Sequence, residues 1–95
     1  MNAKGINKLP WRDFNIYPMQ GSSIVIRCRV YNGNELTNTK FFSLNGFNAV
    51  TFDPKNILDN MGVNSAVFAW LPEKIVYEFL YNIKKKKLNE KENNA

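Results

Sequence analysis

The sequence contains no histidine and a single cysteine, Cys28, and both shortages exclude chemistry. Without histidine the chain lacks the commonest general base, a common zinc ligand and the third member of a Ser or Cys triad. One cysteine forms neither an internal disulfide nor a thiolate-rich metal site, so Cys28 is predicted to be a small buried side chain. We therefore expect no metal site and no catalytic residues.

Phosphate-binding glycine motifs and long apolar runs are missing as well. The glycines are scattered and form neither GxGxxG nor a P-loop, which argues against nucleotide hydrolysis. No run of about 18 apolar residues is present that could span a bilayer, and the first residues lack the apolar stretch of a secretory signal. The expectation is a soluble, cytoplasmic protein that is not an enzyme, uses no cofactor and has no small-molecule substrate.

The composition is typical of one small globular domain. The 95 residues are 44% hydrophobic and 14% aromatic, enough for one core. A formal net charge of +5, from 13 basic and 8 acidic residues, favours an acidic partner such as nucleic acid or an acidic protein surface. We predict an irregular N-terminal arm over 1–10, a single α+β domain over 11–87 and a disordered tail over 88–95.

Two Asn-Gly pairs, Asn32-Gly33 and Asn45-Gly46, separate β-rich runs and predict a three-stranded antiparallel meander. If both loops have two residues, Tyr31 lies opposite Asn34. One sheet face then forms the core, with Ile24, Ile26, Cys28, Val30, Phe41, Val50 and Phe52. The opposite face carries Arg27, Arg29, Tyr31, Asn38 and Lys40, together with the apolar residues Val25, Phe42, Leu44, Phe47 and Ala49.

The second half of the chain carries clear helix signals. Asp53-Pro54 predicts an N-cap followed by proline at the first helical position, and Gly62 predicts the end of a short helix over 54–61. The apolar run 66–71 predicts a further strand, which ends at Pro72. From Glu73 onward, apolar residues at helical spacing predict a C-terminal helix over 73–87. The fold class is therefore α+β: a small antiparallel sheet packed against a C-terminal helix, with one short helix.

Basic and aromatic residues are the candidates for binding. Arg27, Arg29 and Tyr31 interleave as in sheets that bind nucleic acid, although solvated strand arginines are also common. The lysine run suits phosphate contacts and equally suits a helix C-terminus. Asp53 and Asp59 suit a cation site less well than a cap and a solvated helix position. The candidate binding residues are Arg27, Arg29, Tyr31, Lys40, Lys84, Lys85, Lys86 and Lys87.

Each of the two tryptophans belongs to a short pattern that also contains a proline. Trp11 is followed by Pro18-x-x-Gly21 and then a strand, and Phe68-x-Trp70-x-Pro72 comes later. This frame, over residues 10–73, resembles a family of small phage-encoded proteins of unknown function that open with a W…P…G segment and close with a Trp-x-Pro strand. The chain departs from that pattern in its C-terminal helix and lysine run, and the resemblance implies no catalytic residues.

Two functions follow as hypotheses. The first is a non-enzymatic binding module of a phage or mobile element that docks on a host protein, as an inhibitor of a defence or regulatory complex. The second is a basic accessory protein that binds nucleic acid. A salt-dependent affinity for oligonucleotides separates them, because phosphate contacts release counterions. Trp11 is expected to anchor the arm and Trp70 to lie in the core.

Overall fold

A computed structural model describes the backbone of residues 5–93 and the side chains of residues 5–85. The first four residues of the predicted arm and the last two of the predicted tail lie outside the described residues. The elements in chain order are a 3-10 turn at Ile6–Lys8, strand β1 at Arg12–Asp13, strand β2 at Ile24–Asn32, strand β3 at Glu35–Leu44, helix α1 at Pro54–Met61, strand β4 at Val67–Pro72 and helix α2 at Glu73–Asn93.

The four strands form one antiparallel sheet in the order β1-β4-β2-β3. Strand β4, which the short apolar run predicts, lies inside the sheet between β1 and β2. The α+β class, with an antiparallel sheet, a short helix and a C-terminal helix, is confirmed. Within the described part of the chain, no helix is long and apolar enough to cross a membrane.

The prediction of a third strand in the meander is wrong, because residues 47–52 form turns and irregular structure. Phe47 turns inward and is fully buried. Its backbone bonds to the segment before β2: Phe47 N donates to Ser22 O over 2.8 Å, and Gly21 N donates to Phe47 O over 2.7 Å. Val50, expected in the core, is 92% exposed. Burial of Phe47 therefore overrides the hairpin preference of Asn45-Gly46.

The first hairpin forms, but its register differs from the prediction. Asn32 pairs with Glu35, so the loop is Gly33-Asn34. A bulge then leaves Thr37 without a partner on β2, and its Oγ1 donates to Val30 O over 3.1 Å. One extra residue moves every later side chain of β3 to the other face of the sheet. Phe41 therefore leaves the predicted core face, and Phe42 joins it.

Both faces of the sheet are packed. The α1 face is the one that contains the even-numbered residues of β2, and its buried cluster is Ile24, Ile26, Phe47 and Trp70. The α2 face contains the odd-numbered residues, and its buried cluster is Val25, Leu71 and Val76, with Ile6, Leu9 and Trp11 from the arm packed against it. Strand β2 begins with Ile-Val-Ile, and all three residues are buried because both faces of the sheet are covered there.

Local sequence signals place both ends of α1 and the start of α2. In α1, Asp53 Oδ1 accepts from Lys55 N over 3.0 Å, Pro54 occupies the first helical position, and Gly62 ends the helix with a left-handed φ of 70°. Helix α2 begins at Glu73, as predicted, because β4 ends at Pro72 and Glu73 N donates to Ser23 O. It continues to Asn93 and does not stop at Lys87, so it enters the segment expected to be disordered.

Trp70 lies at the centre of the α1 face, as predicted, and is 4% exposed. It pairs with Ile26 on one side and with Arg12 on the other. Its indole Nε1 donates to Ile16 O over 2.9 Å, which ties the loop after β1 to the sheet. The side chain therefore combines core packing with a long-range hydrogen bond.

We expect Trp70→Ala to lower the free energy of unfolding by about 3–5 kcal/mol, because it removes a buried aromatic side chain and leaves a cavity. That loss approaches the whole stability of a small domain. Urea denaturation followed by circular dichroism measures it, with Trp70→Phe as the milder control. Wild-type stability in Trp70→Ala would contradict the position of Trp70 in the core.

The N-cap of α1 offers a smaller test. Asp53→Ala removes the acceptor for Lys55 N and should cost about 1 kcal/mol of stability, whereas Asp53→Asn keeps an acceptor and should cost less. Thermal melts of both variants give the comparison. Equal melting temperatures for Asp53→Ala and the wild type would show that the cap contributes nothing.

Candidate binding surface

The alternation of β2 places Arg27, Arg29 and Tyr31 on the α2 face, as the sequence predicts. Lys40 does not join them. It pairs with Cys28, an even-numbered residue of β2, and so lies on the α1 face. The bulge at Thr37 causes this difference, because its extra residue moves every later side chain of β3 to the other face of the sheet. The predicted patch of three cations on one face is therefore wrong.

Exposed apolar side chains surround the two arginines. Val67 and Thr39 flank Arg29 on the neighbouring strands, Phe41 lies beside Arg27, and Leu36 pairs with Tyr31. The exposed fractions are 39% for Tyr31, 44% for Leu36, 39% for Phe41 and 53% for Val67. We call this surface the arginine platform: Arg27, Arg29, Tyr31, Leu36, Phe41 and Val67.

The N-terminal arm covers one side of the arginine platform. Trp11 Nε1 donates to Ile6 O over 2.9 Å, which fixes the arm, and the ring centroids of Trp11 and Phe41 are 5.6 Å apart. The guanidinium carbon of Arg27 lies 5.1 Å from the centre of the Trp11 ring. The prediction that Trp11 anchors the arm is therefore confirmed, and its ring also holds Arg27 by a cation–π contact.

The electrostatics of the arginine platform favour an acidic partner. Burial is the largest factor that lowers the pKa of Arg27, and repulsion by Arg29 adds to it, against weaker opposite effects from Tyr31 and Asp13. The Nε atoms of Arg27 and Arg29 are buried without a hydrogen-bond partner. Among the side chains of residues 5–85, Lys74 and Glu78 form the only ion pair. A carboxylate from a partner would accept hydrogen bonds from the accessible ends of the guanidinium groups and would relieve their repulsion.

The lysines of the predicted site lie on α2. Lys84 and Lys85 are exposed there, and the side chains of Lys86 and Lys87 lie outside the described residues. Since Lys40 lies on the α1 face, the structure distributes the predicted binding residues over both faces of the sheet and α2. Only Arg27, Arg29 and Tyr31 come together.

Sequence reasoning missed the apolar part of the arginine platform. Phe41 reaches it only because of the bulge, and no pattern in the sequence indicates that bulge, whereas Leu36 precedes the bulge and lies on this face in the predicted register as well. Val67 could have been found, since Val67, Ala69 and Leu71 alternate in β4 and share one face. The neighbours of the two arginines therefore depend on strand pairing.

The acidic residues and the cysteine that were weighed as catalytic or metal-binding candidates have other places in the fold. Asp53 is used as the helix cap and Asp59 is exposed. Within the described residues, no group of three or more His, Cys, Asp and Glu side chains is placed to hold a metal ion. Cys28 is fully buried, with Sγ 3.3 Å from Met61 Sδ, and burial raises the pKa of its thiol. Its predicted place in the core is confirmed.

Comparison of the chain with protein-family models, with curated proteins and with solved structures gave no match. The resemblance to small phage-encoded proteins therefore stays a prediction.

Cys28 provides a test of this packing. The thiolate is the reactive form, so a buried thiol with a raised pKa should react slowly with iodoacetamide at pH 8. The same thiol should react rapidly in denaturant. The pKa of the Cys28 thiol is higher in the folded chain than in the unfolded chain. The thiol of the unfolded chain therefore ionises first, and the stability of the fold should decrease as the pH rises above the pKa of that thiol. Mass spectrometry of timed samples measures the labelling, and equal rates in both conditions would contradict the buried position.

Proposed function

We propose that the chain is a non-enzymatic binding module that docks through the arginine platform on an acidic region of another protein. The observation that carries the proposal is a pair of arginines that form no ion pair among the side chains of residues 5–85 and that four exposed apolar side chains surround. Arginine and aromatic residues are enriched where protein interfaces gain most of their binding energy. A carboxylate that reaches Arg27 or Arg29 would be desolvated by Tyr31 and Phe41.

Two features favour a protein partner over nucleic acid. Nucleic-acid affinity depends on several phosphate contacts, and the arginine platform offers two cations because Lys40 lies on the other face. Leu36 and Val67 are aliphatic, and they suit apolar side chains of a partner better than bases, which stack on aromatic rings. Nucleic-acid binding is the second candidate, supported by Tyr31 and the exposed lysines of α2.

The resemblance to small phage-encoded proteins extends the proposal. It supports a host protein as the partner, with docking that inhibits a defence or regulatory complex. This extension rests on the W…P…G and Trp-x-Pro frame alone, whereas the docking surface rests on the geometry of the arginine platform.

Charge reversal tests the proposal. Peptides selected from a displayed library on the wild-type protein should carry Asp or Glu next to apolar residues. The double variant Arg27→Glu, Arg29→Glu should bind the selected peptides at least about tenfold more weakly, since each charge-assisted contact contributes about 1.5–3 kcal/mol. Stability should fall by about 1–2 kcal/mol, because Arg27→Glu also removes the cation–π contact with Trp11. Fluorescence anisotropy and thermal melts measure the two effects.

Lys40→Glu is the matched control. It makes the same charge change in the neighbouring strand but on the α1 face, so peptide affinity should stay close to that of the wild type. Single-stranded and duplex oligonucleotides are titrated in parallel at several salt concentrations. Strong, salt-dependent oligonucleotide binding that the double variant loses would contradict protein docking and favour the second candidate.

A further inference from the structure

A cleft of about 570 Å³ opens beside β1, at the edge of the sheet opposite β3. The buried residues Ile24 and Trp70 lie at its base, and Ile16, Tyr17 and Met19 from the loop after β1 form its wall. This volume lies within the roughly 300–1,000 Å³ of small-molecule pockets. The cleft is on the α1 face, and the arginine platform is on the α2 face.

The wall of the cleft is unusually apolar for an exposed loop. Ile16 is 69% exposed, Tyr17 61% and Met19 80%. The loop backbone is held from both sides, since Trp70 Nε1 donates to Ile16 O and Ser22 Oγ donates to Met19 O over 2.6 Å. A fixed loop with three exposed apolar side chains is typical of a binding surface, because covering such a patch releases water and lowers the free energy.

Arg12 defines the charge of the cleft. Of the described residues that line it, Arg12 alone carries a charge, and its guanidinium carbon lies 5.1 Å from the centre of the Trp70 ring. No carboxylate in the part of the chain with described side chains lies within ion-pair distance of it. The indole of Trp70 and the hydroxyl of Ser22 already have hydrogen-bond partners. The polar groups that remain for recognition are the guanidinium of Arg12 and the hydroxyl of Tyr17, and both can donate hydrogen bonds to an anion.

We propose that this cleft binds a small amphipathic carboxylate. The carboxylate accepts hydrogen bonds from the guanidinium of Arg12, which matches it in a bidentate geometry. The apolar chain lies against Ile16, Met19 and the edge of Trp70, and it removes their exposed surface from water. The molecule is a ligand that is bound unchanged, and the site is independent of docking at the arginine platform.

The test uses decanoate as the carboxylate and decanol as its uncharged counterpart. Each is titrated at neutral pH while nuclear magnetic resonance follows the indole N–H of Trp70 and the methyl group of Met19. Decanoate should shift both signals saturably, and decanol should bind about tenfold more weakly. Arg12→Gln should lower the decanoate affinity about tenfold and leave the decanol affinity unchanged. Lys55→Gln removes an exposed lysine of α1, which does not line the cleft, and should change neither affinity.

Met19→Asp is a second variant that should fold, because Met19 is 80% exposed. It places a negative charge in the wall and should weaken decanoate binding more than decanol binding. Equal affinities for the two ligands, or an Arg12→Gln variant with unchanged decanoate affinity, would overturn carboxylate recognition. An absence of saturable shifts below the micelle concentration would overturn the site. Binding to phosphatidylcholine vesicles without binding to decanoate would also overturn the site, because the loop would then be a membrane contact.

Discussion

The pairing of β4 with β2 is the interaction on which the other parts of the structure depend. It sets Trp70 beside Ile26 on the α1 face and Leu71 beside Val25 on the α2 face, so one ladder supports both buried clusters. The ladder ends where Pro72 pairs with Ile24, and α2 begins at the next residue. The helix is therefore positioned by the last strand pair, and Val76 packs one turn later against the face that β4 completes.

The two tryptophans hold the segments on either side of β1. Trp11 donates to Ile6 O and Trp70 donates to Ile16 O, so each indole fixes a loop by one hydrogen bond. Each ring also contacts an arginine, Arg27 at Trp11 and Arg12 at Trp70, with 5.1 Å between the guanidinium carbon and the centre of the ring. A ring that is packed on one side and faces a cation on the other orders that cation without neutralising it. Both proposed binding surfaces use an arginine held in this way.

The arginine platform illustrates how packing creates a surface suited to a partner. Arg27 and Arg29 project from one strand on the same face. Burial disfavours the charged form of Arg27, and repulsion by the charge of Arg29 adds to this effect. Helix α2 and the arm cover the Val25 end of this face, and the hairpin end stays exposed. The surrounding apolar side chains exclude water from the guanidinium groups, which strengthens any carboxylate contact made there.

Features that depend on near neighbours in the chain could be predicted from the sequence. The ends of α1 follow from Asp53, Pro54 and Gly62, because capping involves residues within one turn. The start of α2 follows from Pro72 and the apolar spacing after it. Alternation within β2 is also local, so Arg27, Arg29 and Tyr31 share a face whichever strands lie beside them.

Strand pairing was decided only by the tertiary structure. Asn45-Gly46 has the local preference for a hairpin, but Phe47 gains more by burial in the core, so β3 stays at the edge of the sheet. The bulge at Thr37 then sends Phe41 to the arginine platform and Lys40 to the opposite face. A sequence determines which side chains alternate along a strand. The partner strand and its register depend on which distant apolar residues are buried together, and a shift of one residue reverses the face.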